Sequence, residues 1–150
     1  MIISDSTTLI ILNNLNRLDL LEIFEKIYIP QKVYEEINYK NDFSLPKFIQ
    51  ILEIKNNELY HYLIKILDEG KSEAISLAKE KDLPLIIDEK KGIKIAKNLK
   101  LKIIGFLGIL YLNYKKDKLS KTEIENILEK SILNGYRIST KLINEFFENL

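Results

Sequence analysis

Cysteine is absent from the 150-residue chain. That excludes a disulfide scaffold and any thiolate nucleophile or metal ligand, and it fits a reducing compartment. Histidine occurs once, so a metal site would have to be built from carboxylates. Long hydrophobic runs are missing too. The longest, residues 103–112, is half the ~20 residues a membrane span needs and is interrupted by Gly105 and Gly108. No basic region precedes the N-terminal apolar run, and Asp5 interrupts that run early, which makes a poor signal peptide. The expected setting is cytoplasmic, with no membrane. Internal repeats and low-complexity linkers are also absent, and the length suits one domain over residues 1–150.

A net charge of +1 conceals an asymmetry. Residues 1–75 carry 8 Lys+Arg against 12 Asp+Glu, and residues 76–150 carry 15 against 10. An acidic pocket beside a basic surface suits a metal site acting on a polyanion, although a solvated surface rich in lysine accounts for the balance as well.

What is present is organised around the opening stretch, MIISDSTTLIIL. Ile2 and Ile3 form a strand that ends at Asp5, and a helix over residues 7–16, capped by Ser6 or Thr7, begins after it. The phrase returns as Leu85, Ile86, Ile87, Asp88, again followed by a helix over 89–99. Between them the pattern predicts a short helix over 18–24, a strand over 27–29 stopped by Pro30, a helix over 31–39, and a polar turn over 40–46. Residues 48–54 read equally as helix or strand. A helix over 56–67, a turn at 68–70, a helix over 71–82 and, further on, a strand over 101–104 follow. Three helices close the chain, at 106–116, 120–133 and 139–147, the second opened by a Ser120–Glu123 capping box. Strands alternating with helices through short joins give a three-layer α/β/α fold with a central parallel sheet.

In such a sheet chemistry collects at the carboxyl edge, where Asp5 and Asp88 both emerge. Two anions meeting there call for something cationic between them. A helix leading into a parallel strand starts at the same edge, which brings Glu73 near by its position along the helix axis. The helix after Ile29 starts there as well. Val33, Tyr34 and Ile37 mark its buried face, and Glu36 lies closer to that face than Glu35 does. Four carboxylates together repel one another unless a divalent cation neutralises them, and hard oxygen ligands select Mg²⁺ or Mn²⁺. Magnesium held by carboxylates activates water and steadies a scissile phosphate, so the implied chemistry is phosphodiester hydrolysis.

The opening IISDSTTLIIL resembles the start of the PIN-domain nucleases. V-Y-E-E-I (residues 33–37), G-K-S-E-A-I-S-L-A (70–78) and L-I-I-D-E-K-K-G-I-K-I-A (85–96) resemble, in order, the places of that family's other acids. The similarity covers nearly the whole chain and is closest to a VapC-like prokaryotic toxin branch, including G-Y-R-I-S (135–139) before the last helix. It implies a PIN-like fold and a metal-dependent endoribonuclease with Asp5, Glu36, Glu73 and Asp88 as catalytic metal ligands and Thr7 as a helping hydroxyl. It also implies an RNA substrate and an antitoxin protein as partner. The chain departs from the family where Glu89 stands in place of a second aspartate, and where Thr7 and Thr8 replace a small residue and proline.

Lys90, Lys91 and Lys94 begin the helix leaving the active edge and are candidates to grip phosphates. Lys97 reads as an ordinary exposed lysine, Glu35 and Glu89 as solvated acids. His61, between Tyr60 and Tyr62, reads as surface or interface. The apolar helix over 106–114 is core, or a homodimer interface. Two competing functions stay open: a catalytically degenerate PIN-like module that binds RNA or protein, and a phosphatase with Asp5 as nucleophile. The second ordinarily has an aspartate two residues on, where this chain has Thr7.

Overall fold

The computed structural model describes residues 1–40 and 42–150. Five short strands, β1 (Ile2–Ser4), β2 (Ile27–Ile29), β3 (Ile49–Ile51), β4 (Leu85–Ile86) and β5 (Ile103–Ile104), form one sheet in the order β3-β2-β1-β4-β5. Every pairing is parallel, with Ile3 opposite both Tyr28 and Leu85. Helices cover both faces, so the inner strands are apolar on both sides: Ile2, Ile3, Ile27, Ile29, Leu85 and Ile86 are all buried. This is the three-layer α/β/α arrangement the alternation predicts.

The helices are α1 (Ser6–Asn14), α2 (Gln31–Lys40), α3 (Glu58–Leu63), α4 (Glu69–Lys81), α5 (Lys90–Asn98), α6 (Phe106–Lys115), α7 (Lys121–Leu133) and α8 (Thr140–Glu148). Between α1 and β2, Leu18–Phe24 is a tight three-residue-per-turn helix rather than an α-helix. The ambiguous residues 48–54 hold strand β3. The turn expected over 40–46 includes Asn41, which lies outside the described residues.

One boundary matters for the site. Helix α4 begins at Glu69, inside the expected turn, because Asp68 caps it: the Lys71 amide donates to Asp68 Oδ1 at 2.8 Å. Along α4, Gly70, Ser72, Ala74, Ser76 and Ala78 are buried. Small side chains let this helix lie close against α2 and β1, its packing partners.

At the C-terminal end, α7 carries the expected capping box and α8 is capped by Ser139. Helix α6 is core on the side that carries Phe106, Ile109 and Leu110. Its buried Asn113 donates to the Leu20 carbonyl at 2.9 Å and fastens the helix to the Leu18–Phe24 segment. Among the described residues, no helix is long and apolar enough to cross a membrane.

Strand order reverses at β1, with β2 and β3 to one side and β4 and β5 to the other. The crevice outside the carboxyl ends of β1 and β4 is therefore the topological switch point, where ligands of open α/β sheets bind.

Candidate active site

Asp5 stands at that crevice, one residue past β1 and at the N-cap position of α1, yet its side chain caps nothing. It is 1% exposed, and neither carboxylate oxygen has a hydrogen-bond partner. Burial strips the anion of water and pushes the carboxyl up to about 7 from an ordinary 3.8. The Lys71 ammonium pulls it back down, and the Asp88, Asp68 and Glu36 carboxylates add to the rise. Those four side chains are the electrostatic neighbourhood of Asp5.

Glu36 comes from α2. The Ser6 hydroxyl donates to its Oε2 at 2.7 Å, so the hydroxyl that meets the cluster belongs to Ser6, and Thr7, the expected one, is a half-buried neighbour. The Glu36 carboxylate also lies against the first turn of α4, where a Cβ at Gly70 would overlap it. A side chain at position 70 would therefore have to displace the Glu36 carboxylate.

Asp88 lies two residues past β4. Its Oδ2 accepts from the Phe106 amide at 2.8 Å and from the Tyr136 hydroxyl at 3.0 Å. The first bond places the carboxylate at the N-terminus of α6, where the helix dipole favours an anion. Burial raises its carboxyl, and those two donors oppose the rise. Burial also drives the Tyr136 hydroxyl upward, helped by the Asp88 charge, so tyrosine is the donor in that bond.

Two members of the cluster were not expected. Asp68 reads in the sequence as part of a turn, and Lys71 only as the start of the helix over 71–82. In the fold the Lys71 ammonium meets Asp68 Oδ2 at 3.0 Å, with a lysine side chain only 16% exposed. Burial works against its charge, and Asp68, Asp5 and Glu89 more than compensate, so its pKa rises. Its charge reaches Asp5 and opposes the rise there.

Glu73 is not brought to Asp5. It follows Lys71 by two positions, about 200° around the helix, and so faces elsewhere. Its Oε1 accepts from the Lys32 amide at 3.2 Å, and it lines a separate cavity with Gln31, Glu53, Asn57, Tyr60 and His61. Burial raises its carboxyl, with Glu69 and Glu35 adding to the rise against the Lys32 amide and charge. His61, expected at the surface, is exposed and packs edge-on to Tyr60 at 5.6 Å between ring centres. Glu89, expected to be solvated, instead caps α5, accepting from the Lys91 and Gly92 amides at 3.0 and 2.9 Å. Lys90, Lys91 and Lys94 are exposed on α5, and no ion pair among the described residues engages them.

A PIN-domain family model matches residues 1–150. The chain belongs to the PIN-domain family. No curated protein matches it significantly. PIN domains are typically nucleases and generally use divalent metals, and membership of the family suggests nucleic acid binding.

Among the described residues no three acids stand close enough to enclose an ion as they lie. The donor chemistry nevertheless fits a hard dication. Asp5 offers two buried oxygens with no partner, a costly arrangement that a cation relieves. Asp88 and Glu36, whose charges act on Asp5, carry further carboxylate oxygens of the same hard kind.

Proposed function

We propose that this PIN domain is a metal-dependent endoribonuclease with Asp5, Glu36 and Asp88 as the acids that hold Mg²⁺ or Mn²⁺. The observation that carries the proposal is the Asp5 carboxylate, buried with both oxygens unpartnered. When bound, the ion supplies a Lewis acid that activates water and stabilises charge on the scissile phosphate.

The chain's own groups supply the rest. Ser6 orients Glu36, and the Phe106 amide and Tyr136 hydroxyl orient Asp88. Lys90, Lys91 and Lys94 lie along the helix leaving the site and hold the RNA backbone by its phosphates. Glu73, turned toward the neighbouring cavity, is left out of the ion's ligand set. We place the protein in the cytoplasm as the toxin half of a toxin–antitoxin pair, on its resemblance to the VapC-like branch, and as a homodimer, on the apolar length of α6.

A second reading, a PIN-like module that binds RNA or protein without cutting, is favoured by the failure of three acids to close around an ion. Metal dependence separates the two. The nuclease cleaves labelled RNA with Mn²⁺ or Mg²⁺ and stops with EDTA; the binding module retains RNA and cleaves under neither condition.

A further inference from the structure

We propose that the cavity lined by Glu73 is a nucleobase subsite that takes an unpaired guanine of the RNA, an assignment that rests on the endoribonuclease reading above. Glu73 is then a residue that sets specificity instead of one that holds the ion.

The cavity, of about 320 Å³, stands at the carboxyl edge of the sheet. Gln31 opens α2 just past β2, Glu53 and Ile54 follow β3, Tyr60 and His61 come from α3, and Glu73 from α4. Its volume falls within the range of small-ligand sites. Two of these elements also build the Asp5 cluster. Gly70, which lies against the Glu36 carboxylate, and Glu73 are three residues apart on α4, about 4.5 Å along its axis. A strand of RNA held at Asp5 therefore passes this cavity.

Its chemistry selects a base over a phosphate. Glu53 and Glu73 are acids, and among the described residues no lysine or arginine lines the cavity. The nearby Lys32 ammonium is paired with Glu69 at 3.5 Å. A phosphate here would meet like charge, whereas the exposed lysines of α5 suit the RNA backbone. Tyr60 and Ile54 instead give half-buried apolar surface, and the His61 ring stands at 61° to the Tyr60 ring with centres 5.6 Å apart. Aromatic faces stack the splayed bases of single-stranded RNA. Gln31, Asn57 and His61 are exposed, so a base can enter from solvent.

Glu73 decides which base. The Lys32 amide donates to its Oε1 at 3.2 Å and orients the carboxylate. Oε2 and the second lone pair of Oε1 remain to accept. A carboxylate only accepts, so it pairs best with two donors side by side. Guanine alone of the four bases has them on its pairing edge, the ring N1–H and the N2 amine. Adenine, cytosine and uracil each set an acceptor beside their donor there. The side-chain amides of Gln31 and Asn57 supply donors for the guanine O6 and N7 acceptors.

The test is binding of the intact chain, in EDTA and in Ca²⁺, to labelled uridine-tract RNAs that carry one guanosine, adenosine or inosine. Wild type should bind the guanosine RNA at least about 10-fold tighter than the adenosine RNA, the discrimination of a bidentate pair. Inosine, which lacks the N2 amine, should fall between them. Glu73→Gln should bring the guanosine RNA down to the affinity of the adenosine RNA. If that variant does not fold, as judged by circular dichroism, the stacking ring serves: Tyr60→Ala should weaken guanosine RNA about 10-fold, and Tyr60→Phe should not. Equal affinity whatever the base, or a guanosine preference that persists in Glu73→Gln, would overturn the inference and leave the nuclease reading standing. So would capture of an arginine-rich peptide that guanosine RNA does not displace, which would give the cavity to a cationic protein partner. No binding of any RNA under either condition would remove the RNA reading and this inference with it.

Discussion

The Tyr136 hydroxyl donates to Asp88 Oδ2 at 3.0 Å, joining residues 48 positions apart in the chain. The same tyrosine packs edge-on against Phe106 with ring centres 5.0 Å apart, and the Phe106 amide is the other donor to that oxygen. Asp88 is thus held by a small platform from the end of the fold. Tyr136→Phe should lower stability by about 1.5–3 kcal/mol, the worth of a hydrogen bond to a charged group, as read by urea unfolding. It removes a donor that favours the Asp88 anion, so the carboxyl rises further and the acid limb of the cleavage profile moves to higher pH.

Asp5 makes the metal-free protein sensitive to pH. Its folded carboxyl lies at about 7 against an ordinary 3.8, so between those values the folded state binds the proton more tightly than the unfolded state. Stability from this group is complete below the unfolded value and is lost as pH rises through the window to about 7. The loss is on the order of 4 kcal/mol. Urea midpoints in EDTA should therefore fall more between pH 4 and 7 for the wild type than for Asp5→Asn. Parallel curves would contradict the burial of an ionisable Asp5.

Gly70→Ala reverses the usual sign of such a change. In an ordinary helical position alanine stabilises relative to glycine by about 1 kcal/mol. Here the added Cβ overlaps the Glu36 carboxylate, so the variant should melt no higher than the wild type and should lose most cleavage. Thermal melts and a single-turnover assay measure the two effects.

Glu36 and Glu73 should respond differently to the same chemical change. Glu36→Gln removes an acid beside Asp5 and should cut the rate by at least about 100-fold, within the range by which catalytic groups act. Glu73→Gln changes a side chain bonded to the Lys32 amide and should leave Mn²⁺ affinity unaltered, with any effect confined to RNA affinity. Mn²⁺ titration of both variants decides this.

How much of this was legible in the sequence follows from the range over which each signal acts. Asp5 and Asp88 could be found because a strand-ending acid announces its own edge, and the alternation of elements placed both strands in one parallel sheet. Glu36 could be found because helical azimuth is local. Axial position and the family resemblance of residues 70–78 both point Glu73 to the cluster, whereas its azimuth, well round the helix from Lys71, turns it to the next cavity. Asp68 was hidden because D-E-G reads as a turn, and only the capped start of α4 reveals its role. Lys71 and Tyr136 were illegible for a different reason. Lys71 acts on Asp5, 66 positions away, only through its charge, and Tyr136 bonds to Asp88 across 48 positions; no periodicity carries information that far.

The most direct measurement is cleavage of a labelled RNA by wild type and Asp5→Asn in Mn²⁺, with folding of both verified by circular dichroism and RNA binding measured in parallel. The expected result is metal-dependent cutting by the wild type and at least a 1,000-fold loss in the variant, about 4 kcal/mol of barrier, with RNA affinity retained. Equal cutting by the two proteins would contradict the placement of the chemistry on Asp5.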